Sequence, residues 1–489
     1  MNILIALLVS IIFTIAILLF RTLRFRDRST ALEPISAISI EKNQIAQHLS
    51  EAVRIRSVSK VDGTDVDRQP LLEMRDWIEK TYPLVSSQLD RAVVNKYSLL
   101  FKWEGSENKL DPVLFNAHLD VVPVDEETIG NWTSDPFSGE IKNGYVWGRG
   151  TLDMKNQVIA LLETVEGLLK GGYTPKRTIY LAFGHDEEIS GFQGAKKIAE
   201  QLKLQGVKLA AVLDEGGMLT RGMLIGVDKS IGLLGITEKG YLTLDISAKG
   251  KPGHSSMPPR QTAVGVIARA IAVMDDNPMP ARLNIILPML QGVGHLLPFG
   301  MQLLIANAWL FKLILLKQLT KSAQMNALIR TTHAATMIEG GIKDNILPAV
   351  ASAKVNCRLL PGDSIQNVID HFTTVINDPR VSISIDEKRG GWEASQVSSM
   401  NTPPYLSLDL VIRQIFDNVP VAPYACVAAT DSRYFQPVCE NIYKFLPILI
   451  TPESRSGIHG INERVSVDGL GKMVVFMTRL MKVWGEAEF

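Results

Sequence analysis

Carboxylates and histidines gather at the ends of apolar runs in this 489-residue chain, most densely in GHDEEISG, residues 184–191. Asp186, Glu187 and Glu188 follow the run IYLAF, where a buried strand should end. Adjacent acids repel and resist desolvation, so such a cluster is either solvated or neutralised. The stretch contains no Lys or Arg, which leaves water, a distant basic residue or a metal ion to do it. NAHLDVVP places His118 and Asp120 on one face of an extended chain. A carboxylate there can orient the imidazole and raise its basicity. WGRGTLDMKN supplies Asp153 in a glycine-rich turn, VLDEGG supplies Asp214 and SGIHGINE supplies His459. Each has a bland reading alone, as a satisfied core histidine or a helix N-cap. Together, two histidines and four or five carboxylates are enough for two metal ions sharing a bridging carboxylate. Zinc favours this mixture of ligands, and two ions ~3.5–4 Å apart can activate a shared water and stabilise developing charge. Hydrolysis is the expected chemistry.

The elements around these residues predict an α/β fold. DPVLFNAHLD, RTIYLAF and KLAAVLDEGG are short apolar runs ending in polar residues, and VIALLETVEGLLKGG is a helix stopped by glycine. Strands alternating with helices imply a mixed, largely parallel sheet covered on both faces, with its site at the carboxyl ends of the strands. After Asp228 the order becomes βαββαβ, a two-layer, ferredoxin-like α+β insert. The expected organisation is a membrane anchor over 1–28, a catalytic domain over 35–228 and 390–489, and an inserted lid or dimerisation domain over 229–389. Within the insert, Asn284 to Leu319 is strongly apolar but broken by Pro288, Gly292, Gly294, Pro298 and Gly300. It reads as a helical hairpin packed on the insert, or as a hydrophobic wall for a greasy substrate or a surface dipping into lipid.

Lys plus Arg equals Asp plus Glu at 51 each, so no bulk charge points to a nucleic-acid partner. Cys357, Cys426 and Cys439 are widely spaced and form no CxxC pair, which argues against a disulfide framework and a thiolate zinc site. Ile3 to Phe20 carries no charge and is followed by Arg21, Arg24, Arg26 and Arg28, a length that just spans a bilayer. An uncleaved anchor is the preferred reading over a signal peptide, because no basic region precedes it and no small-residue cleavage site follows before the arginines. The positive-inside rule puts the arginines and the body in the cytoplasm, a bias that a translocated domain can override.

The motifs AHLDVVP, GRGTLDMKN, GHDEEISG, VLDEGG, GHSSMPP, GGIKDNILP and GIHGINE occur in an order that resembles the di-zinc metallopeptidases of the glutamate carboxypeptidase, aminoacylase and succinyl-diaminopimelate desuccinylase family. Their wording, with TDSRYF at 430–435, is most similar to the Gly-Xaa carboxypeptidase and N-fatty-acyl-amino acid synthase/hydrolase branch. The resemblance implies two zinc ions, one held by His118, Asp153 and Asp214 and the other by Asp153, Glu188 and His459. Glu215 adjoins Asp214 and is the alternative ligand, with Asp214 preferred on the motif. The resemblance also implies Glu187 as general base, Asp120 as support for His118, and a cis peptide before Met154. His254 and Asn345 on the insert would serve the tetrahedral oxyanion, and Arg358 a substrate carboxylate, although the family's Asp two residues earlier is Asn356 here. Asp431 and Arg433 either shape the pocket or form an internal ion pair. His48, His295, His333 and His371 read as structural or solvated, and His185 and Asp186 have no assigned part.

These readings converge on hydrolysis of an amide next to a free carboxylate, in an N-acyl amino acid or at a peptide's last bond, and the resemblance implies a homodimer through the insert. A lidless aminopeptidase is disfavoured by the insert, and a silent membrane-anchored binding protein by an intact Glu187.

Overall fold

The computed structural model describes residues 2–24, 32, 38–60, 67–223 and 227–486. Arg26 and Arg28, the end of the expected anchor, and the expected start of the catalytic domain at 35 lie outside them.

Helix α1 (Asn2–Leu23) is long and apolar enough to cross a membrane by length and composition. Strands β1 (Asp90–Val94), β2 (Ser98–Trp103) and β3 (Val113–His118) lead into helix α2 (Lys155–Lys170). Strands β4 (Ile179–Gly184), β5 (Ala211–Thr220) and β6 (Ile231–Glu238) complete the first run of the chain. A second sheet is then built from β7 (Gly240–Lys249), helix α3 (Ala263–Asp276), β8 (Thr332–Gly340), β9 (Val350–Leu359), helix α7 (Ile365–Ile376) and β10 (Val381–Ile385). Helices α4 (Leu287–Val293), α5 (Phe299–Ala306) and α6 (Ala308–Leu319) lie between α3 and β8. The chain returns with β11 (Val421–Cys426), β12 (Ile442–Ile450) and helix α8 (Val467–Glu486).

The first sheet has eight strands in the order β1-β2-β4-β3-β5-β12-β6-β11. Its centre is parallel, with β4, β3, β5 and β12 paired in one direction and β2 antiparallel to β4. Every residue of β3 and β4 is buried, which is why VLFNAH and IYLAFG read as unbroken apolar runs rather than alternating ones. One face is covered by α2 and α8, whose Leu161, Leu162, Met477 and Trp484 share a core with Phe115 and Phe183.

The second sheet is antiparallel in the order β8-β9-β7-β10, the ferredoxin-like arrangement that βαββαβ predicts. Because β6 belongs to the first sheet, the second begins at Gly240 rather than at 229. The apolar stretch does not pack on the insert, the first of its two readings. Ile286, Met289, Leu290, Val293, Ile305 and Leu315 pack with Ile231 of β6 and Ala422 of β11, on the edge of the first sheet. The core between the second sheet and its helices includes none of them.

Candidate metal centre

His118 closes β3, and the turn after β4 presents Glu187 and Glu188 beside it. His118 Nε2 lies 3.0 Å from Asp153 Oδ1 and 3.5 Å from Glu215 Oε1. His459 Nε2 lies 3.1 Å from Asp153 Oδ2 and 3.3 Å from Glu188 Oε2. Asp153 therefore presents one oxygen to each histidine, the arrangement of a bridging carboxylate. Its peptide bond to Met154 is cis. Ligand atoms of His118, Asp153 and Glu188, and of His118, Glu187 and Glu215, converge within 4.8 Å.

Asp214 does not join this cluster. Its carboxylate accepts from Asn116 Nδ2 at 3.0 Å and from the backbone N–H of Ser432 at 2.8 Å, and the residue is 1% exposed. The physical reason is a β-bulge. The parallel ladder from β5 to β12 slips between Asp214 and Met218, where Gly216 has φ +107°. A bulge breaks period-two alternation and re-aims a side chain. Asp214 stays on the face that carries Asn116, and Glu215 turns to His118.

The cluster carries more negative charge than its surroundings compensate. Among the described residues, the ion pairs of Asp153, Glu188 and Glu215 are all to histidines. Burial pushes Glu188 up to about 7 and Glu215 up to about 8, and raises Glu187 well above the carboxylate range. At Asp153 the effect of burial is overridden by hydrogen bonds to His118 and His459, which hold it below that range. Glu188 Oε1 is buried with no hydrogen-bond partner. An orphaned buried oxygen, crowded acids and two imidazoles facing one carboxylate are a donor set that fits divalent cations.

A further set of contacts holds these side chains. His118 Nδ1 is 2.9 Å from the Asp120 carbonyl and 3.4 Å from its Oδ1. The Asp120 carboxylate also accepts the backbone N–H groups of Glu187 and Glu188, both at 3.1 Å, so one residue supports the imidazole and orients both glutamates. Asp186 accepts from the N–H groups of Gln193 and Gly194 at 2.7 Å each and ties off the loop that carries them. Glu463 had no assigned part in the motif GIHGINE. It is fully buried, pairs with Arg149 at 2.6 Å, and accepts from the N–H groups of Gly150, Leu152 and Asp153. Only the polar end of that motif hinted at it.

His254 and Asn345 lie at neighbouring positions of a short two-stranded ribbon, and His254 is in neither of the converging groups. Gly253–His254 pairs with Ile346–Leu347 as a separate two-stranded ribbon, the Ser255 N–H donates to the Asn345 carbonyl, and both residues are exposed. Arg358 stacks on Tyr241, 5.0 Å from the ring centre, and Tyr241 stacks on Trp392 at 4.7 Å. Arg433 covers the Trp392 ring at 4.5 Å, so a column of rings and guanidiniums joins the two sheets. Arg433 donates to the Thr430 and Ser190 carbonyls, and both Asp431 carboxylate oxygens are buried without a hydrogen-bond partner.

A mixed sheet with carboxylates and histidines at its strand ends, carrying an inserted α+β layer, defines a metallopeptidase-type hydrolase. Residues 114–483 match peptidase family M20/M25/M40, and the chain belongs to that family. It is 40% identical to the N-fatty-acyl-amino acid synthase/hydrolase PM20D1 of Xenopus tropicalis, over 98% of this chain and 94% of that one. It is 36% identical to a probable carboxypeptidase S-like 2 of Dictyostelium discoideum, over 95% of this chain and 91% of the relative. The fold is similar to that of the M20 family metallo-carboxypeptidase Sso-CP2 of Sulfolobus solfataricus, with a TM-score of 0.64 at 17% identity over 91% of this chain and all of that one. Human carnosine dipeptidase 1 gives 0.62 at 17% identity, over 91% of this chain and 96% of that one.

Proposed function

We propose that this enzyme uses two zinc ions to hydrolyse an amide next to a free carboxylate, with N-acyl amino acids as its substrates. The observation that carries the reading is Asp153, whose two oxygens face His118 and His459. His118, Asp153 and Glu215 would hold one ion, and Asp153, Glu188 and His459 the other. When bound, the pair supplies Lewis-acid polarisation and lowers the pKa of water at the site.

The protein's own groups do the rest. Glu187 takes the proton of the attacking water and returns it to the leaving amine. Asp120 fixes Glu187 through its backbone N–H. His254 and Asn345 donate to the tetrahedral oxyanion once their two-stranded ribbon reaches the cluster, by lid closure or from a neighbouring protomer. A homodimer through β8 suits the second route, since that edge exposes Met337 and Ile338. Arg358 pairs with the substrate carboxylate. The same site run in reverse would join a fatty acid to an amino acid. Helix α1 is taken as the membrane anchor, its composition and length being the support.

A panel of one amino acid carrying acyl groups from acetyl to oleoyl tests the substrate class. The expected result is kcat/KM rising at least about tenfold towards the long chains. A flat series, with faster cleavage of C-terminal peptide bonds, would transfer the assignment to a peptide carboxypeptidase, the reading favoured by likeness to carboxypeptidase S of Saccharomyces cerevisiae at 30% identity over 89% of this chain and 83% of that one. Metal analysis giving fewer than two zincs per active chain would remove the bridging part of Asp153.

His254→Ala should lower kcat by about 10²–10³-fold, the cost of one oxyanion donor. Because His254 is exposed, the melting temperature should stay put. A kcat within a factor of a few of the parent would dismiss the ribbon from the chemistry.

A further inference from the structure

We propose that α5 and α6 form a second membrane contact, a monotopic platform that sits in the bilayer interface beside α1. The inference rests on the anchor reading of α1 and goes beyond it, because it concerns the body of the enzyme.

The first observation is a polar latch. Asn307, at the joint between α5 and α6, is fully buried. Its Nδ2 donates to the Leu18 carbonyl at 3.2 Å, to Thr22 Oγ1 at 3.3 Å and to the Leu303 carbonyl at 3.0 Å. Arg21 Nε donates to the Ala306 carbonyl at 3.3 Å. The last turn of α1 is thus fixed to the joint.

Length then decides where the joint must lie. A helix rises about 1.5 Å per residue, so Ile3 to Ile17, the part of α1 before the latch, reaches only ~22 Å. The hydrocarbon core is about 30 Å thick. For α1 to span it, the turn from Leu18 to Thr22 must enter the interface, and it carries the α5–α6 joint with it.

The surface delivered there suits lipid. Trp309 is 63% exposed, Leu313 80%, Ile314 55% and Phe299 52%. From Asn277 to Ile338 there is no Asp or Glu, whereas Lys312, Lys317 and Lys321 are exposed, Arg21 lies in the latch turn and Arg24 just beyond it. A Trp among aliphatic side chains with cations at the rim is the composition of an interfacial helix facing anionic headgroups. The far side of this layer packs on β6 and β11, so docking it fixes the orientation of the catalytic sheet to the membrane.

The test uses the full chain in phosphatidylcholine vesicles containing phosphatidylserine, with bromine on the acyl chains. The emission of Trp309, taken as the difference from Trp309→Phe, is expected to be quenched relative to unbrominated vesicles. A Leu313→Glu/Ile314→Glu variant should lose that quenching while still floating with the vesicles through α1, and should keep its rate on a short, soluble N-acyl amino acid. Chains that float with Trp309 unquenched overturn the platform and leave the anchor standing; cross-linking between copies at position 313 in such a sample would identify a second protomer as the cover. Chains that do not float overturn both readings.

Discussion

Alanine at position 187 is expected to reduce kcat for amide hydrolysis by about 10²–10⁴-fold while leaving the metal content unchanged. The two neighbouring glutamates differ in what they meet. Glu188 reaches His459 at 3.3 Å and has one oxygen without a hydrogen-bond partner among the described residues, which suits the ligand part proposed for it. Glu187 makes no ion pair to either histidine among the described residues, yet its carboxylate lies in the group with His118 and Glu215. A base must be near the reacting water without being consumed as a ligand, and Glu187 meets that condition. Burial raises its affinity for a proton, the direction needed to hold one between its removal from water and its delivery to the amine. Glu187→Gln, which keeps the shape and removes the basicity, should match alanine in rate. Loss of one metal equivalent in either variant would make Glu187 a ligand, and an unchanged rate would sink the mechanism.

Much of this centre was legible because chemistry sat at the ends of runs whose periodicity was unambiguous. His118 ends a strand that is buried on both faces, and Glu187 and Glu188 follow another. Glu187 and Glu188 themselves open a 3-10 turn, Glu187–Ile189, so strand alternation does not set which way each acid points. What could not be read were features made by departures from periodicity or by contacts far apart in sequence. The bulge at Glu215–Gly217 defeats alternation where alternation would choose Asp214. Glu463 acts on Gly150, Leu152 and Asp153 through backbone hydrogen bonds, and nothing local to residue 463 announces such partners. The apolar stretch from Asn284 to Leu319 sits within the insert in sequence but packs on the edge of the first sheet, because β6 and β11 offer it an uncovered apolar edge that short-range patterning does not reveal. Asp186, the third acid of GHDEEISG, proved to be a loop clasp, a part that any short acceptor facing two N–H groups can play.

The adjacent acids of VLDEGG provide the sharpest separation between holding a metal and holding the fold. Glu215→Gln should weaken metal binding and abolish most activity, with the melting temperature of the metal-free protein unchanged, because among the described residues its carboxylate has a single ion pair, to His118 at 3.5 Å. Asp214→Ala should do the reverse. It leaves Asn116 Nδ2 and the Ser432 N–H without their buried acceptor, a loss of about 1–3 kcal/mol in stability for each unsatisfied donor. Its effect on metal affinity should be indirect, about 10–100-fold, of the size seen when an outer support is removed. Calorimetric titration with zinc and thermal melts of metal-stripped protein measure the two quantities separately. Should Asp214→Ala abolish a zinc site outright while Glu215→Gln binds normally, the ligand is Asp214 after all, and the carboxylate must swing away from Asn116 when the ion enters. The arrangement of donors argues against that swing: Asp214 is held on both oxygens inside the sheet, whereas Glu215 is already turned towards the histidine it would share a metal with.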